Sequence, residues 1–428
     1  MKPSKTKHQQ SLFLQQRLSD LLNPRDPLIL LGKLIDWNDL EKELSTFFVE
    51  KGGAPAKPVR LITGLFMLQH MSNFSDESVV EQWVQNPYWQ HFCGYDYLQW
   101  QFPINPSSLS RWRKRIGEKG MLRILAQTLK TALNIGMLKA KSLKKVIVDT
   151  TVMPKNIAYP TDSKLYFRSI ETLVKMAKNN NIKLRQTYTF IAKRALRKSF
   201  QYSHARQMKR AARERRKLKT YLGRVKRDIE RKILGNKMIN AIFNPTLKVV
   251  EEILAQNKNS KNKVYSLHEP SVRCISKGKI HKKYEFGCKA SIVLTHKEGF
   301  ILGAEALSGN PYDGHTLKQV IEKAESISNR PIERIFVDKG YRGHGMTNKE
   351  VFISGQRKGV TSWIKKQLKR RSAIEPHIGH MKNDGKLGRN YLKGVLGDKL
   401  NAILCGIGHN LRLIIRKIYG SGAPSFSY

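Results

Sequence analysis

Leu61, Leu65, Leu68 and Met71 recur at spacings of four and three, one apolar stripe on an amphipathic helix. Asp76 ahead of Val79, Val80 and Trp83 predicts a second helix with its own cap. The helical pattern covers roughly residues 21–140, after a flexible polar tail over 1–20. A turn-rich aromatic stretch from Asn86 to Pro103 interrupts it, and Ser107 then caps a helix carrying Arg111, Trp112 and Arg113. From Lys144 the character changes. Val146-Ile147-Val148-Asp149-Thr150-Thr151-Val152 is a short, β-branched, apolar run, the mark of a strand buried on both faces. Tyr284 to Leu294 alternates with period two, and Phe300 to Ala304 continues a meander. Arg334-Ile335-Phe336-Val337-Asp338 repeats the first pattern, an apolar strand ending in an aspartate. Val351-Phe352-Ile353 makes one more short strand, and helices are expected over 315–328, 362–383 and 397–417. Strands interleaved with helices predict an α/β (α+β) domain behind an all-helical N-terminal one.

Charge changes this picture from a generic fold to a binding protein. The 428 residues include 79 Lys and Arg against 33 Asp and Glu, a net charge of +46, which favours a polyanionic partner. The excess is uneven. Residues 163–250 carry 25 Lys or Arg and four Asp or Glu, nearly half of the net charge in a fifth of the length. Lys209, Arg210, Arg213, Arg215, Arg216 and Lys217 form its densest run, while Leu218, Leu222, Val225 and Ile229 keep helical spacing. The segment therefore reads as folded helices, an antiparallel pair, gripping the phosphates of double-stranded DNA. Arg111 and Arg113 suit a helix entering a DNA groove, or a solvated helix whose Trp112 is core.

Other classes recede. No apolar run approaches the roughly 18 residues of a membrane span. The amino terminus has charge without a following apolar stretch, so a cytoplasmic, nucleoid-associated protein is expected. Cys93, Cys274, Cys288 and Cys405 are scattered and form neither a disulfide framework nor a zinc site. There is no phosphate-binding GxxxxGK[ST] loop, so no nucleotide cofactor is expected, and Gly406-Ile407-Gly408 lacks the third glycine of a dinucleotide loop. His377 and His380, three apart, lack the further ligands zinc requires.

Two apolar strands each carry a carboxylate, Asp149 and Asp338. Neighbouring parallel strands would bring them to one edge, where ligands bind. Two carboxylates that close repel unless a cation such as Mg²⁺ sits between them; otherwise each merely caps a turn. Glu375 joins them on a basic helix, four residues after Arg371 and seven before Lys382, on one helical face. It is either a third metal ligand flanked by phosphate-gripping cations or an ion-pair partner. Pro376 is expected to bend that helix.

Four stretches in this order resemble the DDE transposases of bacterial insertion sequences, of the IS-five type: Val148–Val152, Asn310-Pro311-Tyr312-Asp313-Gly314-His315, Val337-Asp338-Lys339-Gly340-Tyr341-Arg342-Gly343, and Arg371-Ser372-Ala373-Ile374-Glu375-Pro376-His377-Ile378-Gly379-His380-Met381-Lys382. The resemblance spans roughly residues 20–415. It implies a ribonuclease-H-like catalytic domain over 141–417, interrupted by a basic helical insertion at 163–262, with a short tail over 418–428. It assigns Asp149, Asp338 and Glu375 as catalytic acids holding two Mg²⁺ ions, for which Mn²⁺ substitutes. Arg370, Arg371, Lys382, Lys339 and Arg342 join the DNA-binding candidates. Leu368 stands where the family signature has a tyrosine. The implied activity is hydrolysis at the element's terminal inverted repeats, followed by joining of the freed 3′-hydroxyl to target DNA, in a homodimer or higher synaptic assembly. A nuclease or resolvase without strand transfer is the rival on the same fold. A non-catalytic nucleic-acid binder is the rival outside it.

Overall fold

The computed structural model describes residues 16–48, 56–276, 283–356 and 359–420. Most of the tails expected over 1–20 and 418–428 lies outside the described residues, and the helix Leu18–Leu21 overlaps the end of the first. The chain opens with seven helices, α1 (Leu18–Leu21), α2 (Pro27–Leu34), α3 (Trp37–Ser45), α4 (Val59–Met71), α5 (Asp76–Gln85), α6 (Pro87–Phe92) and α7 (Ser107–Asn134). Strand β1 (Lys145–Pro154) follows. Then come α8 (Asp162–Asn179), α9 (Thr189–His204), α10 (Met208–Ile233), α11 (Lys237–Ala255) and β2 (Arg273–Ile275). The rest runs β3 (Glu285–Thr295), β4 (Ile301–Leu307), α12 (Asp313–Ser328), β5 (Arg334–Val337), β6 (Glu350–Ile353), α13 (Ser362–Arg370), α14 (Ile374–Asn383) and α15 (Gly394–Gly420).

Two compact units result. The first joins residues 1–154 to 289–428, and the second is Lys155–Cys288. In the first, the N-terminal helices and the sheet share one core. Leu61, Leu65, Phe66 and Leu125 from the helices belong to the same buried cluster as Val146, Val148, Ile335 and Ile407. Helix α15 lies against α4, α7 and β4 and is buried on nearly all sides over Leu400–Leu411. Its Asn410 side chain replaces ladder partners at the start of β4. It accepts from the Ile301 amide at 2.8 Å and donates to the Ile301 carbonyl and to Thr128 Oγ1, both at 3.0 Å. The paired glycines of α15 serve close packing. A Cβ on Gly408 would lie 2.2 Å from the His70 carbonyl oxygen of α4, so this is the helix-crossing point and not a nucleotide loop.

The sheet runs in the order β2-β3-β1-β5-β6, with β4 on β3. Strands β3 and β4 form the expected antiparallel meander, with a bulge between Val293 and Leu294. Strands β1, β5 and β6 are parallel, and the apolar runs of β1 and β5 are buried, as is usual in parallel sheets. This is the mixed arrangement of a ribonuclease-H-like domain.

The second unit has its own core. Leu218, Leu222, Val225 and Ile229 of α10 are buried, as their spacing predicts, against Ile170 and Leu173 of α8, Ala192 and Ala195 of α9, and Phe243 and Val250 of α11. The segment is thus four helices and not a pair. Ser107 and Arg113 differ from local expectation. Ser107 is the first residue of α7 and not its cap; Asn105 Oδ1 accepts from its amide at 3.0 Å. Trp112 is buried, so the core reading holds for it. Arg113 is buried as well, and its guanidinium donates to both oxygens of Asp76 and to Gln69 Oε1. Arg113 therefore leaves the set of groove-reading candidates, while Arg111 is exposed on the same helix.

Candidate active site

Strand pairing sets the geometry. In the β1–β5 ladder Lys145 pairs with Arg334, Val146 with Ile335 and Ile147 with Phe336. Continued by two residues, this register places Asp149 level with Asp338. Parallel neighbours lie about 4.8 Å apart, and register partners share a face. Asp338 follows the last residue of β5, as expected, because its side chain turns the chain: Oδ1 accepts from the Gly340 amide at 2.9 Å. Asp149 departs from expectation. It lies in the middle of the ten-residue β1 and not at its end, because the β-branched Thr150, Thr151 and Val152 carry the strand on to Pro154. Its Oδ1 accepts from the Thr150 amide at 2.7 Å.

Glu375 sits in the first turn of α14, which packs against β1, and its side chain is exposed. A 3₁₀ turn at Arg371–Ala373 separates α13 from α14. The break thus precedes Pro376, which occupies the first turn of α14, where an amide has no helical partner. Arg371 Nη1 lies 3.6 Å from Asp149 Oδ2 with both side chains largely buried. This contact ties the helix bearing Glu375 to the strand bearing Asp149. Among the described residues no three His, Cys, Asp or Glu side chains converge tightly enough to hold one metal ion.

Structure adds residues that pattern reading passed over. Tyr341, in the 3₁₀ turn after Asp338, is wholly buried, and its hydroxyl has no hydrogen-bond partner of acceptable geometry. Burial pushes its hydroxyl well above the ordinary tyrosine range, and the carboxylates of Asp149, Asp313 and Asp338 push the same way against the nearby Ser291 hydroxyl. Tyr341 therefore stays protonated. Asp313 begins α12, and Lys289 Nζ of β3 donates to its Oδ1 at 2.9 Å and to the Pro311 carbonyl at 2.7 Å. Gly340 makes room for both acids. A Cβ there would lie 3.0 Å from Asp338 Oδ1 and 3.3 Å from Asp313 Oδ2. Asp313 lies in the stretch Asn310–His315, but nothing in its local spacing marks it as an acid near Asp338.

Asp149, Asp338 and Glu375 offer only oxygen donors, the chemistry that suits a hard divalent cation such as Mg²⁺. The histidines nearby serve other ends. His377 Nδ1 is 3.1 Å from His409 Nε2, and His380 Nδ1 is 2.8 Å from Asp384 Oδ2.

The cationic candidates divide by surroundings. Arg370 donates to the His296 and Lys297 carbonyls at 3.1 and 2.9 Å, which fastens α13 to the β3–β4 turn. Lys339 and Arg342 are exposed around Asp338, whereas Lys382 and Leu368 are half-buried. In the second unit Lys209, Arg210, Arg213, Arg215, Arg216 and Lys217 are all exposed on α10, and Glu214 among them is buried.

The fold is that of a ribonuclease-H-like domain, and comparison with known proteins specifies the family. A transposase DDE domain family matches residues 263–411, and a transposase domain family (DUF772) matches residues 16–115. An uncharacterized protein of Rhizobium meliloti, ORF8 in the nfe locus, is 44% identical over 207 residues, 48% of this chain and 100% of that protein. No solved structure matches. The chain belongs to the DDE transposases of insertion sequences. Among the described residues no helix is long and apolar enough to cross a membrane.

Proposed function

We propose that this transposase, of the IS-five type, binds the terminal inverted repeats of its element, cleaves the element ends and joins the 3′-hydroxyls to target DNA. The observation that carries the reading is the register of β1 on β5, which sets Asp149 level with Asp338 beneath the helix that bears Glu375. Asp149, Asp338 and Glu375 would hold the divalent cations. When bound, these supply Lewis-acid stabilisation of attacking and leaving oxygens in phosphoryl transfer.

The chain's own groups do the rest. Tyr341, buried in the turn after Asp338, keeps its proton. Arg371 holds Asp149 in place before cations neutralise it. Exposed Lys339 and Arg342 beside Asp338 grip the phosphates of the strand to be cut. The α10 cations of the second unit supply sequence-independent affinity, because phosphate neutralisation releases counterions from the duplex. Hydrolysis and joining are both phosphoryl transfers with an oxygen nucleophile, so one set of acids serves both. Active assemblies contain two or more protomers, since two element ends are processed together.

The test uses a DNA fragment bearing the element end, with Mg²⁺ or Mn²⁺ and a supercoiled target. The wild-type chain should release a 3′-hydroxyl and join it to the target. Asp149→Asn should lose at least about 10³-fold in cleavage while binding the fragment nearly as well. Undiminished cleavage by that variant refutes the assignment of acids. Cleavage without joining by the wild-type chain would make it a nuclease.

A further inference from the structure

We propose that a groove in the second unit takes an unpaired stretch of DNA, its bases stacking on Tyr159 and Phe200 and its phosphate meeting Lys164. The inference rests on the reading of the chain as a DNA-binding transposase, and not on the three acids.

The groove encloses about 850 Å³ and is walled by the loop before α8, by α8 and α9, and by Tyr265–His268. That volume falls within the roughly 300–1,000 Å³ of ligand sites. Two of its aromatic residues are open to solvent, Tyr159 at 63% and Phe200 at 38% exposure. Tyr159 is nevertheless held in place. Its ring packs at 88° to that of Phe286 on β3, with centroids 5.4 Å apart, and Phe286 also packs on Tyr265 at 5.2 Å. Lys164 stands between the exposed rings. Its Nζ donates to the Tyr159 carbonyl at 3.4 Å and lies 5.4 Å from the centre of the Phe200 ring. Arg168, one turn further along α8, is exposed and donates to Glu171 at 2.8 Å, a surface pair of little strength.

This combination selects the occupant. None of the described residues lining the groove is Asp or Glu, and residues 163–250 around it carry 25 Lys or Arg against four acids, so the complementary partner is an anion. A paired duplex hides the faces of its bases in its own stack and would meet the cations while leaving the rings in water. An apolar peptide would cover the rings and leave the cations unanswered. An unpaired strand supplies both, a π-face for each ring and a phosphate for the lysine between them.

The experiment compares the affinity of the full chain for two labelled DNAs, one fully paired and one with a central run of unpaired thymines, by fluorescence anisotropy. The wild-type chain should bind the second about tenfold more tightly. Tyr159→Ala with Phe200→Ala should remove that preference and leave affinity for paired DNA within about twofold, whereas Tyr159→Phe with Phe200→Tyr should keep it. Lys164→Gln should weaken binding of the unpaired DNA and flatten its salt dependence by about 0.7 in log–log slope. A preference that survives the double alanine variant, or an equal loss on both DNAs, overturns the inference. Should that variant fail to fold, 5-iodouracil placed in the unpaired run and irradiated on the wild-type chain decides. Covalent attachment at Tyr159 or Phe200 supports the inference, and attachment only elsewhere overturns it. The wild-type chain separates the two levels. If it binds neither DNA, the DNA-binding reading falls with the groove; if it binds both equally, only the groove falls.

Discussion

The two compact units handle positive charge in opposite ways. In the first, cations beside the core are committed to partners. Arg113 is buried on Asp76 and Gln69, Lys289 on Asp313, Arg371 on Asp149, and Lys323 reaches both Glu118 and Glu305. In the second, α10 alone carries twelve Lys or Arg against three acids, so even complete pairing would leave nine. Glu214 and Asp228 lie on its buried face, which leaves the outer face almost wholly cationic. Charge that sits inside must be neutralised to fold, and charge that sits outside in excess is free to neutralise something else.

That contrast can be broken or sharpened by four measurements, ordered by the expected effect on folding. Arg113→Met strands the half-buried Asp76 carboxylate. Burial alone would raise that group, but Arg113 and Gln69 hold it below its usual range. The variant should lose about 3–5 kcal/mol in denaturant unfolding. A loss under about 1 kcal/mol would show that interior pairing matters little here.

Next comes pH. Burial pushes His409 down to about 3, with His377 and Arg412 acting in the same direction. A histidine neutral in the fold but ordinary when unfolded contributes full stability above about pH 6.5, and that contribution is lost as pH falls toward 3. Between pH 7.5 and 5.0 the wild-type chain should lose up to about 2 kcal/mol from this group. His409→Gln should flatten the dependence, and an equally steep profile in the variant would assign it elsewhere.

Gly340→Ala should leave the unfolding free energy within about 1 kcal/mol, since the turn is at the surface of the core. Its Cβ would press on Asp338 and Asp313, so end cleavage should fall by about tenfold or more while DNA binding persists. Normal cleavage would show that the turn relaxes freely.

Replacing Lys209, Arg210, Arg213 and Arg216 with Ala should change stability least of all. The salt dependence of DNA affinity should flatten by about 0.9 in log–log slope for each phosphate contact removed. An unchanged slope would mean that the outer face of α10 does not touch the duplex.

Much of this was legible beforehand. The apolar runs around Asp149 and Asp338 announced buried strands, and the stripe of Leu218, Leu222, Val225 and Ile229 announced a helix with one greasy side. Both rest on short-range periodicity, which any chain shows without reference to its fold. Motif order brought Glu375 into the same set before any helix was placed. Local pattern erred where long-range partners decide. Arg113 and Arg111 look alike in sequence, yet one turns inward to Asp76, thirty-seven residues away, and the other outward. Asp313 reads as a turn residue until Lys289 of another strand and Gly340 of another turn come to meet it.

The linear chain thus determined the placement of its excess charge and the periodicity of its elements, because each is a property of neighbours in sequence. Tertiary structure alone decided that β1 pairs in parallel with β5, that Tyr341 is buried in the turn after Asp338, and that Lys289 pairs with Asp313. The reason is physical: strand register and burial are settled by contacts between residues far apart along the backbone, and their energies exist only once the sheet has closed.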